Sequence, residues 1–298
     1  MMRTAIARAL GDDEAAVLVH ITTSGDRIQD RRLMDIGGKG LFTKEIEEAL
    51  LQGRIDAAIH SLKDMPSISP DGLVIAAIPE REDPRDAFLS VQFASLQELP
   101  QGARLGTASL RRQAQALHLR PDLEVFPLRG NVDTRLARLD GGEMDAILLA
   151  ASGLNRLGLG GRVRSWLDPL ACPPAPGQGA LAIQTRADNA DAEWLHDLRH
   201  APTQLAVAAE RGALEALEGS CRTAMGAHAR LIGEVLHLTI EALTPDGALK
   251  FRRDGEISSG EGEGAARALG LSLGLEVRQA GGDALLVPTP AAGEGVES

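Results

Sequence analysis

An α/β fold followed by a smaller α+β unit is what this sequence predicts, on three observations. Over residues 17–150, short β-rich runs alternate with helical patterns, as expected of strands covered by helices. After Pro202 the alternation gives way to one long helical pattern, three alternating strands and an Ala/Leu-rich helix. At 298 residues the chain is too long for one ordinary core, so two or three domains are expected.

The elements follow in order. In the opening MMRTAIARALGDDEAA, residues Met2, Ala5, Ile6, Ala9 and Leu10 form the apolar stripe of a helix. VLVHIT reads as a strand. LFTKEIEEALLQ sets Phe42, Ile46, Ala49 and Leu50 on one helix face and Lys44, Glu47 and Glu48 largely on the other, with Gly53 as its stop. IDAAIH, LVIAAI, ARLGT, LEVFPL and DAILLA continue as strands, and LRRQAQALHL and VDTRLARL as helices. Two connectors interrupt this run: PEREDPR at 79–85, polar with two prolines, and CPPAPGQGA at 172–180, with three prolines and two glycines. ALAIQT, just after the second, is a strand placed to return to the first domain. Beyond Pro202 come the helix QLAVAAERGALEALE, strands around AHARLIG, EVLHLTIEAL and ALKFRRD, a loop at SSGEGEG, and a helix starting near Gly264. Domains are therefore expected at 1–79 with 180–198, at 85–174, and at 202–298.

Composition removes several functions. A formal charge of −11 opposes general binding to a phosphate backbone. Five Phe, two Trp and no Tyr leave little with which to stack bases. Cys172 and Cys221 are too few for a disulfide framework and lack zinc-site spacing. No apolar run has the length of a membrane span or a secretion signal. A reducing, cytoplasmic setting is the expectation.

Charge is unevenly spread. Residues 104–138 hold seven Arg and three acids in an acidic chain, and the planar Arg fork suits carboxylate or phosphate. GTASLRR and LRGNVDTR each follow a strand and open a helix, where open α/β sheets collect ligands and helix N-termini add donors. Thr107, Ser109, Arg111, Arg112, Arg129 and Arg135 are thus candidates to line one anion-binding crevice. The plainer reading of any single arginine is a solvated helix face.

IDAAIHSLKDMP places His60, Ser61, Lys63 and Asp64 just past an apolar strand. A carboxylate there can orient N–H groups and stabilise a developing cation, although Lys63 and Asp64 alone also read as a loop salt bridge. GGKGLF lacks the full spacing of a nucleotide-binding loop; it reads as a loop bringing Lys39 near the site. Cys221, beside Gly219 and Arg222 in EGSCRTAMG, is either a reactive thiolate or a small buried hydrophobe. Cys172 reads as the latter.

Taken in order, TSGDRIQD, GGKGLFTKEIE, DAAIHSLKDMP, EREDPRDAF, GTASLRRQAQ, LRGNVDTRL, DAILLAASGLNRLGL, PAPGQGA and EGSCRTAMGAHA resemble the porphobilinogen deaminase family over most of the chain. The resemblance implies two periplasmic-binding-protein-like α/β domains joined by hinges, plus a smaller C-terminal α+β domain. It implies a transferase that polymerises four porphobilinogen units with loss of ammonia and releases hydroxymethylbilane by hydrolysis, in tetrapyrrole biosynthesis. The implied cofactor is a dipyrromethane joined by a thioether to Cys221. Asp64 is implied to be catalytic. Ser61, Lys63, Asp64, Thr107, Ser109, Arg111, Arg112 and Arg135 are implied to hold the cofactor, and Arg129 and Arg156 the substrate. No metal, nucleic acid or membrane partner is implied, and the family leads to a monomer.

The chain departs from the family at its start. Members normally open with a strand and an Arg-x-Ser-Pro-Leu-Ala segment, whereas this sequence begins in the following helix, so a central strand is expected to be missing and a sheet edge unpaired. Ala108 within GTASLRR, and Asp35 before GGKG where a basic residue is common, are smaller differences. The alternative reading is an inactive two-lobed anion- or solute-binding protein of the same fold.

Overall fold

The structure is a computed structural model that describes residues 1–27, 43–217 and 223–286. Three sheets organise these residues. The first contains β1 (Ala57–Ser61), β2 (Leu73–Ala77) and, between them, β8 (Leu181–Arg186), antiparallel to both. ALAIQT therefore returns from more than a hundred residues downstream to become the central strand. The Lys44–Leu51 helix covers this sheet through Leu50, packed with Ala58 and Leu73.

The second sheet has the order β5-β4-β6-β3-β7, formed by β3 (Asp86–Leu89), β4 (Arg104–Gly106), β5 (Glu124–Phe126), β6 (Ala146–Ala150) and β7 (Ser165–Trp166). β4 runs parallel to both β5 and β6. The helices that follow β4 and β5, Leu110–Leu119 and Val132–Asp140, consequently start at the same edge. Ser109 caps the first by accepting from the Arg112 amide, and Asn131 caps the second by accepting from Thr134 at 2.8 Å. Both faces of this sheet are buried, one against Leu128, Leu136 and Leu154, the other against Leu96, Ala116 and Leu123.

The third unit is an antiparallel meander of β9 (Ala224–Ile232), β10 (Val235–Leu243) and β11 (Lys250–Ser258). Helices Ala201–Ala216 and Gly262–Gly281 pack beside it around Leu205, Leu238, Ile240 and Val277. The two helices lie so close that a Cβ at Gly270 would collide with the Ala209 carbonyl. SSGEGEG, expected as a loop, instead initiates the last helix. Ser258 and Glu261 form a capping box, with the Ser258 amide donating to Glu261 at 3.1 Å, so the run starts a 3₁₀ turn leading into the helix.

The N-terminal run also differs from expectation. Met2–Leu10 is helical, but VLVHIT is not a strand: Val17, Leu18 and Val19 are 83%, 62% and 58% exposed, and pair with no strand among the described residues. Apolar alternation cannot hold an extended run in a sheet without a neighbour for its backbone groups. A cavity of about 850 Å³ separates this run from β1, lined by Ile6, Leu10, Leu18, Ile55, Ala57 and Trp194. GGKGLF and Lys39 lie outside the described residues, as does Cys221.

The two connectors touch. Glu82 N–H donates to the Gly179 carbonyl at 3.3 Å, and the Gln178 side-chain amide donates to Pro84 O at 2.7 Å. Gly179 has φ +90°, and a Cβ there would collide with the Glu82 carbonyl, so glycine suits both backbone shape and contact.

Candidate active site

The site forms where the end of β1 faces the starts of the two arginine-bearing helices. A 3₁₀ turn, Leu62–Asp64, follows β1 and turns Lys63 and Asp64 out of the sheet. Lys63 Nζ donates to Gln178 Oε1 at 3.3 Å, and Arg112 Nη2 donates to the same oxygen at 3.3 Å. The connector glutamine thus joins a cation from each side. Its own amide donates to Asp86 Oδ1 at 2.8 Å.

Asp86, at the start of β3, is the buried counter-ion. It accepts from Arg111 Nη1 at 2.6 Å, and from Arg112 Nε at 3.0 Å and Nη2 at 2.8 Å. Burial opposes its ionisation, yet the two guanidinium groups outweigh burial and hold its carboxyl far below the usual range. Arg111 is turned inward, donating also to Gln115 and to Pro173 O, and its buried Nε has no partner. Arg112 completes its set on Leu148 O.

The site remains electropositive. Burial, followed by the charge of Arg112, lowers the Lys63 amine to about 8, against the pull of Asp64 and Asp86. Burial, then Arg112 and Arg129, lowers Arg135 to about 10; Arg135 Nε donates to Gly130 O at 2.8 Å. Asp64 is exposed. The surrounding protein pushes its carboxyl above the usual range, opposed by Lys63, His60, Arg112 and Arg135. The mutual fields of Lys63, Asp64, Arg112 and Arg135 mark one cluster, with Arg129 beside Arg135.

The other candidates are placed more simply. Thr107 is buried, and its hydroxyl accepts from the Ser109 amide at 3.2 Å. Ser61 ends β1 and is half-buried. Arg156 donates to the Gly179 carbonyl at 3.0 Å, at the connector crossing. His60 is buried and paired with Gln184 at 3.0 Å, on the far side of a chain reaching Glu47. Cys172 is buried, and burial followed by nearby carboxylates pushes its thiol up to about 12, consistent with a small hydrophobe. Sequence reasoning missed Asp86 and Gln178 as site residues. Both lie in motifs noted above, EREDPRDAF and PAPGQGA, but their partners are distant in sequence.

Comparison with known proteins decides the family. The family model described as porphobilinogen deaminase, dipyromethane cofactor binding domain, matches residues 1–194, and that of the porphobilinogen deaminase C-terminal domain matches 204–279. The chain belongs to the porphobilinogen deaminase family. It is 67% identical over 299 residues to porphobilinogen deaminase of Caulobacter vibrioides strain NA1000 / CB15N, covering 97% of this chain and 93% of the relative. It is 62% identical to that of Phenylobacterium zucineum strain HLK1, covering 95% and 92%. A solved methionine binding protein, MetQ, aligns at 16% identity with TM-score 0.41, covering 66% of this chain and 82% of that one. The chain is accordingly a transferase with a dipyrromethane cofactor domain, its fold two α/β units and a C-terminal α+β unit.

Proposed function

We propose that Asp64 is the catalytic carboxylate for joining porphobilinogen units, with the cofactor attached at Cys221. The reading is carried by the cluster of Lys63, Arg112 and Arg135 around an exposed carboxylate. Lys63, Arg111, Arg112 and Arg135 outnumber Asp64 and Asp86, and Arg111 keeps a buried Nε without a partner. Such a donor set fits a group bearing several carboxylates, as a dipyrromethane does with an acetate and a propionate on each ring.

The family resemblance suggests the division of roles, and the clustering of these residues supports it. Lys63, Arg112 and Arg135, with Ser61, Thr107, Ser109 and Arg111, hold the cofactor's carboxylates; Arg129 and Arg156 receive those of the substrate. The bound dipyrromethane supplies the nucleophilic α-carbon from which the chain grows. Asp64 accepts from pyrrole N–H groups and stabilises the positive charge developing on porphobilinogen as ammonia leaves. Four units are joined, and hydroxymethylbilane is released by hydrolysis. The inactive binding-protein alternative is not favoured at 62–68% identity to porphobilinogen deaminases over nearly the whole chain.

We assign residues 1–79 with 180–198, residues 85–174 and residues 202–298 to three domains. We also assign the protein to the cytoplasm as a monomer without nucleic-acid or membrane partners. Cys172, the cysteine among the described residues, is free and buried, which suits a reducing compartment, and among the described residues no helix is long and apolar enough to cross a membrane.

Intact mass tests the attachment: a dipyrrole added to the calculated mass and mapped to Cys221 is expected, and its absence from folded protein would overturn the assignment. Asp64→Ala is expected to retain the fold while lowering kcat at least about a hundredfold. Normal hydroxymethylbilane production by that variant would remove Asp64 from its role.

A further inference from the structure

Glu210 lies in the Ala201–Ala216 helix of the third unit, outside the cation cluster, and is fully buried. Its two oxygens gather four donors from three parts of the chain. From the first connector, Arg81 Nη1 and Nη2 donate at 2.7 and 3.0 Å. From the second, the Gly177 amide donates at 2.7 Å. From β9, the Ala229 amide donates at 2.9 Å. The His228 ring is 3.8 Å away, near enough for charge but beyond hydrogen-bond reach.

A buried carboxylate that accepts this many bonds fixes its donors in space, because removing it takes the acceptor from two guanidinium nitrogens and two amides. Arg81 then passes the constraint on. Its Nε donates to the Gln178 carbonyl at 2.8 Å, and the Gln178 side chain accepts from both Lys63 and Arg112. A continuous path of hydrogen bonds therefore leads from the third unit, through both connectors, to cations on the two sides of the cleft.

We propose that Glu210 is a positioning residue that, through Arg81 and Gln178, sets the separation of Lys63 and Arg112 across the cleft. The inference rests on the reading that these two cations hold the cofactor. Glu210 supplies no group to the reacting atoms. It keeps the crossing point of the connectors in register, so that the cations meet one anionic guest instead of drifting apart with the two sides.

The test compares holoenzyme as purified with Glu210→Gln and Arg81→Lys. Gln preserves the shape of the side chain and removes the charge. Lys keeps a cation beside Glu210 but cannot both pair with it bidentately and reach the Gln178 carbonyl. Lys63 is labelled with an amine reagent across a pH series and quantified by peptide mass, alongside kcat, KM and Tm. Lys63 is faced by Asp64, Asp86, Arg111 and Arg112; if Arg112 moves away and water enters, its labelling midpoint moves up from that of the wild-type holoenzyme toward the ordinary lysine range.

That upward shift is expected in both variants, with kcat/KM lowered about tenfold, mainly through KM. Arg81→Lys is expected to do this with little change in Tm. A purely structural Glu210 would lower Tm and leave the Lys63 midpoint and KM unaltered, which would overturn the proposal. A shift in Glu210→Gln but none in Arg81→Lys would equally overturn it, since the path runs through Arg81. If Glu210→Gln does not fold, Arg81→Lys alone decides. Absence of a dipyrrole from wild-type Cys221 would instead strike the functional reading, while the Lys63 titration would still report whether the path exists.

Discussion

Asp86 shows how much of the site depends on residues that touch no ligand. It neutralises part of two buried arginines and, through Gln178, reaches the connector. Asp86→Asn leaves two guanidinium groups sharing a neutral acceptor. A loss of about 3–5 kcal/mol in urea unfolding is expected. The acid limb of stability carries the same signature. Because the folded-state carboxyl is depressed, its stabilisation is complete above the unfolded carboxylate range and fades as pH falls from about 4 toward the folded value. The wild-type minus Asp86→Asn difference should therefore shrink over that acidic window and stay constant above it. Excess arginine at 104–138 was legible in the sequence; the inward turn of Arg111 was not. Its partners Asp86 and Pro173 are 25 and 62 positions away, and no local pattern carries such distances. The Lys63–Asp64 pair also resolves differently from a loop salt bridge, because Lys63 donates to Gln178.

Among elements, the Leu110–Leu119 helix is held at both ends. Its N-terminal arginines enter the site, while its last turns lie against the third unit: Gln115 donates to Glu241 in β10 at 3.1 Å, and His118 Nδ1 is 2.9 Å from the Gly247 carbonyl. Glu241 is a weak point of this contact. It is buried, its Oε2 has no partner, and burial pushes its carboxyl above the usual range despite the Gln115 bond. A raised folded-state value means that stability is highest below the unfolded value and is lost as pH rises toward the folded one. Glu241→Gln retains an acceptor for Gln115 and removes the buried charge. It should raise stability by about 1 kcal/mol at pH 7, with the gain vanishing near pH 4, as read by urea midpoints at both pH values. Most elements were visible in hydrophobic periodicity, including this helix and the meander beside it. Two were misread for identifiable reasons. VLVHIT lacks a pairing partner among the described residues, and SSGEGEG hides a capping box within glycines that resemble a loop.

For the molecule as a whole, the connector crossing governs how the two sheets sit together. Gly179→Ala would place a methyl group against the Glu82 carbonyl at φ +90°, so the connectors must separate. Small-angle scattering should show a larger radius of gyration than wild type, together with a lower Tm; unchanged values would mean the crossing tolerates the displacement. The proline- and glycine-rich connectors were legible as breaks in pattern, but their contact was not, since it joins residues about a hundred positions apart. The central position of β8 has a further consequence, for synthesis. Among the described residues, β1 and β2 bond to β8 and not to each other, so neither of these pairings can form until residues 181–186 leave the ribosome. The second sheet, whose strands lie between residues 86 and 166, emerges entire beforehand. The nascent protein therefore completes its middle before its beginning, and the N-terminal region awaits its last strand while translation continues.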